Sequence, residues 1–266
     1  MFSVFKRPFG SPNAVIYSYE VSKLFLDKNL SSILEVGCGI GIFAFRYAAK
    51  EKNVFVMAVD QSEQTVNFMS SNYEKHYKNL ELKICDFCDK DLSLGRNFEA
   101  VYSSDVLEHV TEPKLFVANI FKHLTAGGKA VVNFPNETNH GINHFAEVCD
   151  VQALFASFSD IKVFAIDIRH PLDRLWFTVR SVYENLFSRS TKAARAHLYH
   201  EREEQGIDSF EESTCFQFIS DKGKVRNLLA SAFAEIFLLV KPTINVRQIL
   251  QGSVINNPRL VVVAMK

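Results

Sequence analysis

The sequence predicts an α/β protein built on a parallel sheet with helices on both faces. Three observations carry this expectation. Short apolar runs alternate with segments of helical period from Ile33 to Phe134. The first run breaks into a glycine-rich turn, Gly37-Cys38-Gly39-Ile40-Gly41, and then into an apolar helical segment. The second run ends in an acid, Asp60, about 20 residues past that turn.

The elements follow in order. Residues 1–12 are a basic lead containing proline, and Asn13–Lys28 reads as a helix with Ser11-Pro12 at its start. Ile33–Val36 reads as a buried strand and Ile42–Ala49 as the helix after the glycine turn. Val54–Val59 is the second strand. Asp60-Gln61-Ser62-Glu63 then precedes a helical Gln64–Tyr73, where Asp60 could also act as a cap. Leu80–Cys85 alternates weakly and runs into Asp86-Phe87, and Phe98–Ser104 is the fourth strand. Leu124–Lys129 reads as a helix stop with a Gly-Gly turn, followed by a strand over Ala130–Phe134. A helix over Asp150–Phe158 leads to Ile161–Ile168, a candidate sixth strand, with Ala234–Val240 as its rival. Arg259–Met265 is the last strand.

The glycine turn has a chemical meaning. Glycines let the backbone bend sharply and approach a ligand, because no Cβ intervenes. The helix behind them aims unpaired N–H groups and a partial positive charge at the same place. A dinucleotide fold would space its glycines G-x-G-x-x-G. Here the third glycine, Gly41, comes one residue early and Ile42 holds the dinucleotide position, which disfavours a nicotinamide oxidoreductase. Glu35 stands two residues before the first glycine.

This E-x-G-x-G-x-G stretch resembles the first motif of the class I S-adenosylmethionine-dependent methyltransferases. Further segments match in order: Asp60, Asp86-Phe87, the Asp105-Val106-Leu107-Glu108-His109-Val110 run and the Gly127-Gly128 turn. The Leu-Glu-His-Val ending resembles the small-molecule branch of that family. Ala126 stands where that branch usually carries a proline, which removes only a pre-set turn angle. The resemblance covers about 100 residues, Ile33–Pro135, and the C-terminal half poorly.

The resemblance implies a Rossmann-like seven-stranded methyltransferase sheet of order 3-2-1-4-5-7-6, with the last strand antiparallel. It implies S-adenosyl-L-methionine as the cofactor, held by Glu35, Gly37, Cys38, Gly39 and Asp60. Gln61, Asp86, Phe87 and Ser104 complete the expected cofactor positions. Asp60 would accept from ribose hydroxyls, and Asp86 would reach the adenine amino group with Phe87 against the ring.

Bulk composition agrees with such an enzyme. A chain of 266 residues, 47% hydrophobic and 23% charged, suits one large domain or a domain with an insertion. Thirty basic residues balance thirty acidic ones, so no global field draws the chain to nucleic acid or a membrane surface. Twenty-four phenylalanines serve the core, with some left for an apolar pocket. No signal peptide or membrane-spanning run is evident, which leads us to expect a cytoplasmic protein with its five cysteines reduced. Cys85-x-x-Cys88 lacks a second pair, so no metal is expected there.

The domain expectation is a core of residues 1–168 and 259–266, with 169–258 inserted. The insertion reads as helical over Leu172–Phe187, Lys192–Gln205 and Asp221–Phe233. It is expected to act as a substrate-selecting cap, with a homodimer-forming element as the alternative. Its basic residues, Arg169, Arg174, Arg180, Arg189, Lys192 and Arg195, would either hold an acidic substrate group or form a solvated face.

The chemistry needs few protein groups. A hydroxyl acceptor loses a proton as it takes the methyl, and a positioned base accelerates this about 10²–10⁴-fold. His109 is the leading base, expected at the start of the helix after the fourth strand. A purely structural role is its alternative. After the fifth strand come His140, His144 and Glu147 at spacings of four and three. A helix there would permit metal binding, but Gly141 and Asn143 disfavour one, so His144 is expected to contact substrate. The expectation is methyl transfer to a small-molecule acceptor, most readily at oxygen. A non-catalytic cofactor-binding module is the rival.

Overall fold

A computed structural model describes residues 16–136, 141–172, 175, 178, 239–255, 257 and 259–266. The chain separates into two compact units. The first takes residues 13–168 and 244–266 and the second residues 169–243, with short N-terminal pieces shared between them.

The first unit is an α/β sheet. Its parallel part is β1 (Ser32–Val36), β2 (Phe55–Asp60), β3 (Leu80–Ile84), β4 (Phe98–Ser104) and β5 (Leu124–Pro135). Every residue of β1 is buried, as expected for a central strand covered on both faces. β1 pairs in parallel with β2 and β4, β2 with β3, and β4 with β5. β6 (Asp160–Arg169) and β8 (Arg259–Met265) complete the order that the resemblance implies. β8 lies between β5 and β6 and is antiparallel to both. Ile161–Ile168 is therefore the sixth strand. Most of its rival, Ala234–Val240, falls outside the described residues.

The sheet has eight strands among the described residues, in the order β3-β2-β1-β4-β5-β8-β6-β7. The expected order stands and the count rises by one. The extra strand, β7 (Thr243–Ile249), lies inside the segment expected to be a separate insertion. β6 would otherwise present a row of unpaired backbone groups at the sheet edge, and β7 covers it. Residues from Ile244 onward thus belong to the first unit.

The helices sit close to their expected positions: α1 (Val21–Phe25), α2 (Ile42–Lys50), α3 (Glu63–Asn72), α4 (Pro113–His123) and α5 (Val148–Leu154). The lead into α1 is a π-turn over Ile16–Glu20 rather than continuous α-helix. α2 buries six consecutive residues, Phe43 to Ala48, and Phe43 packs on Tyr102 of β4 at 4.4 Å between ring centroids. α4 starts on Pro113, where a missing N–H costs nothing. α5 starts with a reciprocal capping box between Glu147 and Asp150.

The Gly-Gly turn is not a break before β5. Leu124 already pairs with Phe98, and the register then jumps so that Ala100 meets Lys129. The turn is a bulge inside one long strand, with Gly127 at φ 72° absorbing the extra residues. The expected helices over 172–187, 192–205 and 221–233 lie mostly or wholly outside the described residues. In the second unit, His170 accepts the Leu172 N–H at 3.1 Å, and its other ring nitrogen meets the Val240 carbonyl at 2.7 Å.

Candidate active site

All five parallel strands end on one edge, and α/β proteins bind ligands at the carboxyl ends of such strands. The loops there carry nearly every residue singled out from the sequence.

The glycine loop leaves β1 and is tied to β2. Gly37 and Cys38 both donate backbone N–H groups to the Val59 carbonyl, at 2.9 and 3.0 Å. Gly37 lies directly under Val106, whose methyls would occupy the place of a Cβ. Gly39 has φ 46°, and a Cβ there would project into open space with no atom within 4 Å. The backbone at Gly39 is thus a bare surface facing outward from the edge.

Asp60 closes this loop. It is 5% exposed at the end of β2. One carboxylate oxygen accepts the Gly39 N–H at 2.7 Å and the other accepts the Ser62 N–H at 3.0 Å. Burial raises its pKa, and these backbone donors oppose the shift. The cap of α3 is Ser62, whose hydroxyl accepts the Thr65 N–H. Asp60 therefore braces the cap residue and is left oriented by the loop. The Gln61 N–H bonds the carboxylate as well, so with three backbone donors one acceptor direction is left for a ligand hydroxyl.

Glu35 does different work. Its carboxylate accepts the Ala44 N–H at 3.0 Å and so satisfies the first turn of α2. It is buried, and burial pushes its pKa well up, with Asp60 adding to the effect. Cys38 is buried too, and burial likewise raises its thiol. Gln61 is exposed beside Asp60.

Asp86 is exposed after β3 and folds back to accept the Cys88 N–H at 2.8 Å. Phe87 turns the other way. It packs in the core against Phe116 and His123, and Asn119 holds its carbonyl. Asp86 thus stands on the edge with the glycine loop and Asp60, while the Phe87 ring does not.

β4 ends in a polar cluster. The Ser104 hydroxyl bonds the Asp105 carboxylate at 2.8 Å and accepts from Asn133 at 3.1 Å. Asp105 has φ 59°, the one left-handed non-glycine among the described residues. Arg259 bonds Asp105 through one guanidinium nitrogen and the Asn133 side-chain carbonyl through another, and it lies 4.2 Å over the Tyr17 ring. Asp105 opens the motif run after the fourth strand, but Asn133 and Arg259 belong to no motif. A buried asparagine inside an apolar strand was a usable signal, because a buried polar group needs partners.

His109 sits in a turn, not at a helix start. Its N–H donates to the Val106 carbonyl at 2.9 Å, and α4 begins only at Pro113. Asn143 pins this turn from across the edge by donating to the Leu107 and Val110 carbonyls, and these bonds consume the groups that a helix would use. The His109 side chain is about one-third exposed, with Nε2 3.8 Å from a Glu108 carboxylate oxygen. His144 is near this turn in the 141–145 segment, where Nε2 meets the Gly141 carbonyl at 3.1 Å. Gly141 to Phe145 is not helical. His140 lies outside the described residues.

A family profile described as a methyltransferase domain matches residues 27–206. The chain belongs to this methyltransferase domain family.

Among curated relatives of this methyltransferase-domain chain, phosphoethanolamine N-methyltransferase 1 of Triticum aestivum is 30% identical over 133 residues, 48% of this chain and 26% of that protein. The ubiquinone biosynthesis O-methyltransferase of Rickettsia akari (strain Hartford) is 28% identical over 130 residues, 47% of this chain and 50% of that protein. The match thus spans about a quarter of the wheat protein and half of the rickettsial one.

Solved structures share the methyltransferase fold. Phosphoethanolamine N-methyltransferase 2 of Haemonchus contortus, in complex with S-adenosyl-L-methionine, aligns with a TM-score of 0.50 at 17% identity, covering 99% of this chain and 55% of that one. The [4+2]-cyclase SpnF aligns with a TM-score of 0.51 at 14% identity, covering 96% and 80%. A likeness at these identities concerns architecture alone, and the two neighbours show that one architecture serves different reactions.

Proposed function

We propose that this chain transfers a methyl group from S-adenosyl-L-methionine to a small-molecule acceptor, with an oxygen nucleophile as the preferred class. One observation carries the reading. The bare backbone at Gly39, the Asp60 carboxylate it bonds, and His109 all stand on one carboxyl edge of the sheet. The outward face at Gly39 fits close approach of a ligand, and Asp60 offers an acceptor direction suited to a ribose hydroxyl. Membership of the methyltransferase domain family supports the same assignment.

The cofactor, when bound, supplies an electrophilic methyl on a positively charged sulfur. The protein's part is to hold and orient. Gly37, Cys38, Gly39 and Asp60 are the proposed cofactor cradle, with Gln61, Asp86 and Ser104 beside it. Glu35 supports that cradle indirectly by fixing the start of α2. Holding reactants in line contributes roughly 7–11 kcal/mol of barrier reduction. His109, partly exposed beside a buried carboxyl, is the proposed base for an acceptor hydroxyl, and His144 the proposed acceptor contact. Segment 169–258, apart from β7, is proposed to take part in acceptor choice.

Acceptor screening tests the proposal. Purified protein is incubated with S-adenosyl-L-methionine and separate panels of phenolic, sugar and carboxylic hydroxyl compounds and of phosphorylated amines. Formation of S-adenosylhomocysteine is then measured. Turnover on a hydroxyl panel supports the oxygen reading. Turnover confined to amines, as the phosphoethanolamine relatives would suggest, overturns the acceptor class while keeping the transferase. Binding of NAD in place of S-adenosyl-L-methionine overturns the whole assignment.

A further inference from the structure

Glu108 is the most unusual side chain on this edge. It is 0% exposed, and neither carboxylate oxygen has a hydrogen-bond partner among the described residues. A buried, unsatisfied carboxyl is costly, and such groups persist where they serve a task. The backbone around it is strongly fixed. The Ile142 and Asn143 N–H groups donate to the Glu108 carbonyl, at 2.6 and 3.1 Å, and Gly141 passes so close that a Cβ would strike that carbonyl. Asn136 anchors the same segment by accepting the Phe145 N–H and donating to the Phe145 and Val254 carbonyls. The Glu108 backbone is thus held in place by the 141–145 segment.

Among the described residues, four charged or titratable groups bear on it. His109 Nε2 is 3.8 Å from one oxygen. Asp105 on the same loop repels the ionised form, and Arg259 of β8 attracts it. His144, on the overlying segment, turns Nε2 to the Gly141 carbonyl. Burial, with Asp105 acting the same way, pushes the Glu108 carboxyl up to about 8.

We propose that Glu108 is a positioning residue for His109: its buried carboxyl, 3.8 Å from Nε2, and the imidazole titrate as one coupled pair, and His109 gains a basic nitrogen only when the pair releases its proton. The inference rests on the methyltransferase reading for its purpose, not for its chemistry. With the proton present, the pair exists as carboxylic acid and imidazole or as carboxylate and imidazolium, and neither form leaves His109 able to accept another proton readily. Loss of that proton leaves a carboxylate facing Nε2–H. This fixes the tautomer, makes Nδ1 the basic nitrogen and stabilises the imidazolium that forms when an acceptor hydroxyl gives up its proton. A catalytic pair commonly shows a longer separation before substrate is bound. The arrangement predicts that the pair titrates above an ordinary imidazole, whose pKa is about 6.5.

The test is a titration of histidine ring signals by NMR on the full chain, with His109 assigned by its loss in His109→Gln. In the wild type, the His109 signal and the Glu108 carboxyl signal are expected to move in the same pH steps, because coupled groups titrate as a pair. In Glu108→Gln, His109 is expected to fall by about one pH unit or more, toward an isolated imidazole. Independent titration of the two wild-type signals, or an unchanged His109 titration in Glu108→Gln, overturns the proposal. The wild-type comparison does not need Glu108→Gln to fold. Calorimetry with S-adenosyl-L-methionine on the same samples reports separately on the methyltransferase reading. Absence of binding there would sink that reading and leave the coupled-titration result intact.

Discussion

The Asp60 carboxylate at the end of β2 accepts the Gly39 N–H at 2.7 Å, so the acid and the glycine loop are a single unit. Asp60→Ala removes this brace and the acceptor for a ribose hydroxyl together. Hydrogen bonds to charged groups contribute about 1.5–3 kcal/mol. The expected result is a loss of S-adenosyl-L-methionine affinity of that size by calorimetry. Unchanged affinity would show that Asp60 serves the loop alone.

Gly39→Val probes the face of the loop. Its left-handed φ of 46° strains any branched residue, by roughly 1–2 kcal/mol. The side chain would point into open space and not into the core. Cofactor binding is therefore expected to vanish while the fold survives with a modestly lower Tm. A variant that binds at wild-type affinity would mean that the glycine only makes the turn.

His109→Ala is expected to lower kcat on a hydroxyl acceptor by roughly 10²–10⁴-fold, with cofactor affinity little changed. Steady-state kinetics and calorimetry separate the two effects. A near-normal rate would show that proximity alone carries the transfer, or that His144 supplies the base.

Two buried groups give opposite pH effects on stability. Leu94 donates its N–H to His123 Nε2, so Nδ1–H donates to the Asn119 carbonyl and the neutral ring is fully used. Burial lowers the His123 pKa. The unfolded chain then binds that proton more readily, and stability falls as pH drops below about 6.5. Glu108 is raised instead, to about 8, so its contribution is full below the unfolded carboxyl value of about 4.3 and is lost as pH rises through about 8. Thermal melts are expected to show a smaller Tm decline between pH 7 and 5 in His123→Gln. Glu108→Gln should melt higher than wild type at pH 9, with the difference closing toward pH 4. A Glu108→Gln melt that tracks wild type across this range would refute the buried-acid assignment.

Much of this protein was legible in sequence because its information is local. A central strand buried on both faces must be apolar, and Ile33–Val36 and Val56–Val59 are, except for Glu35. The turn after β1 needs residues that accept left-handed backbone, and Gly37, Gly39 and Gly41 supply them. Asp60 follows its strand directly, so its place on the edge comes from the chain path alone. The family resemblance of the first half rests on these short-range patterns. The tertiary structure decided what depends on distant partners. Arg259 reaches Asp105 across 154 positions because β8 runs antiparallel beside β5 and sets Arg259 opposite Pro135. The turn at His109 replaces the expected helix because Asn143, more than 30 residues on, takes the carbonyls of Leu107 and Val110. Phe87 faces inward because α4 offers it Phe116 and His123. β7 joins the sheet because β6 leaves an edge to cover. Periodicity reports which face of an element is buried, but not which remote segment buries it. The buried carboxyl of Glu108, on a backbone fixed by the chain from Gly141 to Asn143, owes its chemistry to that second kind of fact.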